Sequence, residues 1–238
     1  LFTLGRDDVL RARQVIAEAI IETPLIFSER LSEASGAVVY LKLESFQRTG
    51  AFKFRGAYHC VSRLDAQARR AGLITASSGN HALGMSLSAR LHQVRAIVVM
   101  PATAPPAKQA RARAYGAEVI LHGNVYDEAC EHAQDLACRQ GMTFIPSFDH
   151  PHIIAGQGTL GLEILEQHPG VDLIVAPVGG GGLLAGLLIA GAGVEIAGVQ
   201  AEGAASMARS LERGERVVLS SATTLADGIA TLKPGALT

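Results

Sequence analysis

The chain has almost no excess of charge. Twenty-one Lys and Arg face 22 Asp and Glu, a formal net charge of −1, and no basic stripe gathers in any stretch. That balance gives no electrostatic support to a nucleic-acid partner. Cysteine is scarce too: Cys60, Cys130 and Cys138 are an odd set without a C-x-x-C pair. Neither a disulfide frame nor a zinc–cysteine site fits them, and free thiols in a reducing cytoplasm are expected. No internal repeat, low-complexity linker or amino-terminal signal stands out, and a charged, helix-like segment covers Asp7 to Ile21. The most apolar stretch, Leu173 to Val199, is broken by Pro177 and four glycines and interrupted by Glu195. It therefore reads as a buried strand–helix–strand unit rather than a membrane span. The 238 residues suffice for one large domain or two small ones around a proper core.

What the chain does have is concentrated in a few places. Gly179-Gly180-Gly181-Gly182, followed by Leu183-Leu184-Ala185, comes directly after the apolar run Val171–Val178. A buried parallel strand entering a glycine turn and then a helix fits that pattern. Four consecutive residues without Cβ let several backbone N–H groups converge on one anion, and the positive end of the helix dipole favours the same charge. The simplest such ligand is a phosphate; the plainer alternative is a flexible turn between two elements.

Strand patterns alternate with helical ones along most of the chain. Strands are expected at Val38–Leu43, Leu73–Thr75, Ala96–Met100, Glu118–Leu121, Thr143–Ile145, Leu173–Val178 and Ile196–Gln200. Helices are expected at Ala57–Ala71, Gly79–Leu91, Pro105–Tyr115, Tyr126–Gln140, Ile154–Gln167 and Leu183–Ala190. This order argues for an α/β fold with mainly parallel open sheets and helices on both faces. Ligands in such sheets bind at the carboxyl ends of strands. The two small-residue turns, Ser77–Gly79 and Gly179–Gly182, both follow strands, so a cleft between two tightly joined lobes is expected.

Lys53 lies at a loop–helix junction between Phe52 and Phe54 and close to Arg55. Most lysines are solvated surface charges. Desolvation and a cationic neighbour, here Arg55, both lower a lysine pKa and yield the free amine that attacks carbonyls. A phosphate cradle together with a carbonyl-seeking lysine points to pyridoxal 5'-phosphate held as a Schiff base. The segment Ala76-Ser77-Ser78-Gly79-Asn80-His81-Ala82 exposes backbone N–H groups at a helix start, where a carboxylate can dock. Asn80 can bond a phenolic oxygen, and Ser78 can donate to a substrate or relay a proton. An ordinary N-capped helix is the alternative for that segment.

Taken with Met100–Pro105 and Ala114–Val119, these segments resemble the fold type II pyridoxal-phosphate enzymes, the tryptophan synthase β-like fold. Within that group the chain is most similar to threonine dehydratase (threonine ammonia-lyase), with serine dehydratase and serine racemase as relatives. The resemblance runs from about Asp7 to Thr238. It implies Lys53 as the Schiff-base lysine, Phe52 beside the cofactor ring, and Asn80 on the ring hydroxyl. It also implies Gly179, Gly180, Gly181, Gly182 and Leu183 around the phosphate. Ser77, Ser78, Gly79 and His81 would line the substrate-carboxylate site, with Lys53 and Ser78 as the catalytic pair and Gly228 closing the pocket. It further implies a large cofactor-binding domain over 1–59 and 149–238, a small mobile domain over 60–148, and a cytoplasmic homo-oligomer, dimer or tetramer, acting on a small amino acid. The reaction implied is β-elimination from L-threonine, or L-serine, to a 2-oxo acid and ammonia, with racemisation or hydroxyaspartate dehydration as variants on the same scaffold.

The chain departs from the family pattern in two places. The family continues past the segment matching Leu225–Thr238 with more sheet and a hydroxyl facing the pyridine nitrogen, so a chain incomplete at its carboxyl end is expected. The helix after the glycine run is short, so residues are expected to be missing between Ala190 and Val194. Two other classes fit parts of the chain. Gly180, Gly182 and Ala185 satisfy a relaxed dinucleotide-binding pattern, with Glu202 where a ribose-binding acid belongs, which would suit an NAD-dependent dehydrogenase. A regulator that kept the fold and lost the chemistry is the other. No metal is expected: Pro151 splits the Asp149-His150-Pro151-His152 cluster, and Ala208 stands where racemase-like relatives carry the second acid of a cation site.

Overall fold

The computed structural model describes residues 4–191 and 193–238. Ala192, in the stretch where the sequence suggests missing residues, lies outside the described residues. Helix α1 (Arg6–Ile16) buries Val9, Ala12 and Ile16 on one face and ends five residues before the helix-like segment does. Two elements absent from the sequence-derived order follow, strand β1 (Leu25–Phe27) and helix α2 (Glu29–Ser35). Strand β1 pairs antiparallel with β2 (Tyr40–Lys42), Leu25 opposite Lys42. This is the one antiparallel pair among the described strands.

The expected helix Ala57–Ala71 is in fact two, α3 (Lys53–Ser62) and α4 (Ala66–Ala71). Asp65 makes the break, its side chain capping α4 by accepting from the Ala68 N–H at 2.8 Å. Helix α3 starts four residues earlier than its apolar pattern indicates, so Lys53 is its first residue. Strand β3 (Leu73–Ala76), helix α5 (Asn80–Leu91), β4 (Ala96–Met100), α6 (Pro106–Ala114), β5 (Glu118–Leu121), α7 (Tyr126–Gln140) and β6 (Thr143–Phe144) follow as expected to within a residue or so. They form a wholly parallel sheet in the order β5-β4-β3-β6. Alternation along β4 decides its two faces. Ala96, Val98 and Met100 pack with α5 and α6, while Ile97 and Val99 pack against the Ala129, Ala133, Ala137 stripe of α7. Both faces are covered, as a parallel sheet requires.

Helix α8 (Pro151–Gln167) is almost wholly buried and leads into β7 (Leu173–Pro177), α9 (Gly182–Ala190) and β8 (Glu195–Val199), with β7 and β8 parallel. Helix α10 (Ser206–Arg213), also absent from the sequence-derived order, closes the regular elements. Two glycine crossings place the functional segments. A Cβ on Gly156 of α8 would stand 2.6 Å from Gly56 Cα of α3, and one on Gly158 of α8 would stand 2.7 Å from the Gly186 carbonyl of α9. Such contacts admit no side chain, so α8 holds α3 and α9 at backbone distance. The lysine begins one of those helices and the glycine run begins the other. No described helix is long and apolar enough to cross a membrane.

Candidate active site

Lys53 is held from three sides. Its Nζ donates to the Ser147 carbonyl at 3.0 Å and sits 5.4 Å from the Phe52 ring centre. Behind it, Gly84 of α5 approaches so closely that a Cβ there would stand 3.2 Å from the Phe54 backbone. One carbonyl and a ring face do not replace the hydration of an ammonium. Burial accordingly pushes the amine down to about 8.

Arg55 does not contribute to that shift. It is fully buried and faces away, its Nε and Nη2 on Glu44 at 2.9 and 2.7 Å and its Nη1 on Glu163 at 2.8 Å. Burial would depress the guanidinium pKa, but the two carboxylates outweigh it and raise the value. The expectation that Arg55 would act as a cationic neighbour of Lys53 is thus corrected: its charge is matched locally, and desolvation alone lowers the lysine. The sign of the pH dependence follows. The reactive free amine increases as pH rises through about 8. The rate at which the protein captures an aldehyde at Lys53 should climb up to that range and level off above about pH 9. Borohydride trapping across pH 6–11 would test this. A rate still rising at pH 10.5 would show an ordinary lysine.

The glycine run packs against the segment that receives Lys53. Ser147 takes the ammonium, and the next residue, Phe148, packs on the run so tightly that a Cβ on Gly182 would be 2.9 Å from it. Gly181 has φ +97°, which a side chain would strain. The Gly180 carbonyl accepts from Gly235 N–H at 3.1 Å and Thr238 Oγ1 at 2.6 Å, and that of Gly181 accepts from Ala185 N–H at 2.9 Å. The N–H groups of Gly180, Gly181, Gly182 and Leu183 have no acceptor among the described residues. Carbonyls spent and amides free, at the start of a helix, is the arrangement an anion completes. Phe52 and Leu183 share one apolar cluster, which joins the lysine end to the cradle end. The segment carrying Gly228 comes alongside: Ile229 Cα would lie 3.3 Å from a Cβ on Gly179. Gly228 itself is exposed.

The Ser77–His81 turn follows β3. Ser77 is buried, its Oγ accepting from the Gly79 N–H at 3.2 Å, so that hydroxyl shapes the turn. Ser78 and Gly79 are half-buried, and Asn80 opens α5 with its side chain exposed. His81 points inward instead. Its Nε2–H faces the Ile145 carbonyl at 3.4 Å, and its Nδ1 has no partner among the described residues. Burial, then the charge of Lys53, pushes its pKa down to about 3. The ring is therefore neutral at any working pH, so His81 adds no positive charge to the turn.

The Asp149–His152 cluster has structural work. His150 caps α8, its Nδ1 accepting from the His152 N–H at 3.1 Å, and Asp149 accepts from the N–H groups of Ala236, Leu237 and Thr238 at 2.8, 2.8 and 3.2 Å. No group of three metal-capable side chains gathers among the described residues. Two features escaped the sequence reading. Ser147 and Phe148, which join lysine to cradle, carry no chemical signal in sequence. The partners of Arg55 lie 11 and 108 positions away.

The family model described as pyridoxal-phosphate dependent enzyme matches residues 16–238. An L-threonine ammonia-lyase of Thermotoga maritima is 44% identical over 98% of this chain, and the chain spans 59% of that protein's length. An L-threo-3-hydroxyaspartate ammonia-lyase of Pseudomonas is 41% identical, covering 94% of the chain and 72% of that protein. The solved structure of maize serine racemase superimposes with a TM-score of 0.95 at 32% identity, over all of this chain and 73% of its own. Glu202 opens a short 3₁₀ turn, Glu202–Ala204, after β8. A lysine amine whose pKa burial lowers, joined through Ser147 and Phe148 to a cradle of free amides, suits pyridoxal-phosphate chemistry, and the chain belongs to the pyridoxal-phosphate dependent enzymes.

Proposed function

We propose that this chain carries the site of a lyase that eliminates water from L-threonine, and more slowly from L-serine, to give a 2-oxo acid and ammonia. The observation that carries this reading is the desolvated Lys53 amine on the Ser147 carbonyl, next to Phe148, against which the run with the free amides of Gly180–Leu183 packs. In this reading the amides of Gly180, Gly181, Gly182 and Leu183, with Gly179, hold the cofactor phosphate, Phe52 flanks its ring and Asn80 bonds its hydroxyl. The cofactor, when bound, supplies an electrophilic carbon for the substrate amine and a sink for the electrons released at Cα. The Ser77–His81 amides bind the substrate carboxylate, which fixes the Cα–H bond toward Lys53. The Lys53 amine, half of it uncharged already at about pH 8, would take the Cα proton. His81, buried and uncharged, keeps a second cation away from that amine. Ser78, half-buried beside the carboxylate position, donates to the substrate. Residues 60–148 act as a small lobe that carries the turn, and 1–59 with 149–238 act as the large lobe that carries lysine and cradle.

The decisive measurement is amino-acid-dependent release of ammonia and 2-oxo acid from L-threonine, L-serine, D-serine and 3-hydroxyaspartate, compared as kcat/KM. One methyl in a pocket is worth only about 1–3 kcal/mol, so threonine and serine should differ by no more than about 200-fold. No turnover of any of them would defeat the reading. Ser78→Ala should lower kcat about a hundredfold while leaving cofactor content unchanged. Equal loss of both would make the turn a prop of the fold.

A further inference from the structure

One ion pair at the site belongs to none of the groups above. Lys108, in the first turn of α6, donates to Asp227 Oδ2 at 3.0 Å across 119 positions of sequence. Its Nζ stands 3.9 Å from where a Cβ on Gly79 would be, so the ammonium lies against the Ser77–His81 turn. Asp227 directly precedes Gly228, in the segment that abuts the glycine run. The Lys108 side chain is 29% exposed and that of Asp227 81%. The hydrogen bond and charge of Lys108 hold the Asp227 carboxyl below the ordinary range, so the carboxylate is ionised near neutral pH.

A lone ammonium beside a carboxylate-binding turn would attract a second carboxylate on the substrate. Paired with Asp227 it presents no net charge, and the outer, better exposed member of the pair is negative. We propose that the Lys108–Asp227 pair sets substrate class at this site, with Asp227 as the residue that disfavours dicarboxylic hydroxy-amino acids and leaves the uncharged β-substituents of threonine and serine preferred. The proposal rests on the reading of the Ser77–His81 turn as the substrate-carboxylate site.

Removing the carboxylate that neutralises the Lys108 ammonium beside that turn, in partly screened surroundings, should change affinity for a second carboxylate about tenfold. In the holoenzyme, Asp227→Asn should raise the kcat/KM ratio of 3-hydroxyaspartate to threonine about tenfold. Lys108→Met should lower it, and the double variant should lose the gain. Calorimetric binding of succinate and butyrate gives a readout without turnover: Asp227→Asn should bind succinate about tenfold more tightly and butyrate within twofold of the parent. An unmoved ratio, or an equal shift for both ligands, overturns the proposal. Threonine turnover with an unmoved ratio rejects the pair's role and keeps the reaction. A succinate gain with no amino acid turned over keeps the pair's role and rejects the reaction.

Discussion

Replacing Lys53 by alanine is expected to abolish release of ammonia from L-threonine, by more than about a thousandfold, and to remove the borohydride-stable attachment of the cofactor. Both losses share one cause. The amine that would hold the cofactor is the one that would take the Cα proton, and it is Lys53 Nζ that bonds the Ser147 carbonyl. The other lysine near the turn, Lys108, is tied to Asp227. Lys42 is locked to Glu163, Gln167 and the Thr23 carbonyl. Mass spectrometry of the reduced protein should find the label on the peptide containing Lys53, and Lys42→Ala should keep it. Turnover that persists in the Lys53→Ala protein would remove the lysine from the mechanism.

Glu163→Ala should be among the most destabilising single changes in the molecule without touching the chemistry directly. The Glu163 side chain is only 9% exposed and receives Arg55 Nη1 at 2.8 Å, Lys42 Nζ, and the Thr23 N–H at 3.0 Å. Burial would raise its pKa, but the bonds and charges of Arg55 and Lys42 outweigh that and hold the carboxyl low. Deleting it leaves two buried cations short of a partner, a loss of about 3–5 kcal/mol. For a chain this long that is a fall in Tm of roughly 10 °C or more. Glu166→Ala is the contrast: Glu166 is 55% exposed and pairs with the half-exposed Arg13, so its loss should cost under about 1 kcal/mol. Thermal melts of the two variants decide the matter, and equal shifts would show that the buried network adds little. The sign with pH is fixed by the lowered carboxyl. Its stabilisation is complete above about pH 4.5, the unperturbed value, and is lost as pH falls through the folded-state value. Because Arg55 is two residues from Lys53 on α3, the same variant should also loosen the start of the helix that aims the lysine.

Much of the parallel sheet could be read directly. Strand β4 is an unbroken apolar run, Ala96–Met100, and α7 repeats alanine every fourth residue, so the sequence assigns their type, while the structure divides the β4 residues between two faces. Elements without a strong period were missed. Helix α2 buries none of its residues, and β1 is three residues long with two of them exposed. The break between α3 and α4 was missed because helical propensity runs through it, and only the Asp65 cap marks the restart.

The sequence by itself determined the chemistry on offer: a lysine between two phenylalanines at a helix start, four glycines after a strand, and a serine-rich turn after another. Those signals are local, because a missing Cβ, a cap or an apolar period acts within a few residues of itself. Tertiary structure alone decided what state that chemistry is in. It turned Arg55 from a neighbour of the amine into a buried partner of Glu44 and Glu163, and it left desolvation to lower Lys53. It also drew His81 inward as a neutral ring and set Lys108 of α6 against Asp227 beside the Ser77–His81 turn. Each of these outcomes depends on which groups remote in sequence meet and how much water remains between them. Charge, pKa and specificity are properties of that meeting, and no stretch of the chain read alone contains it.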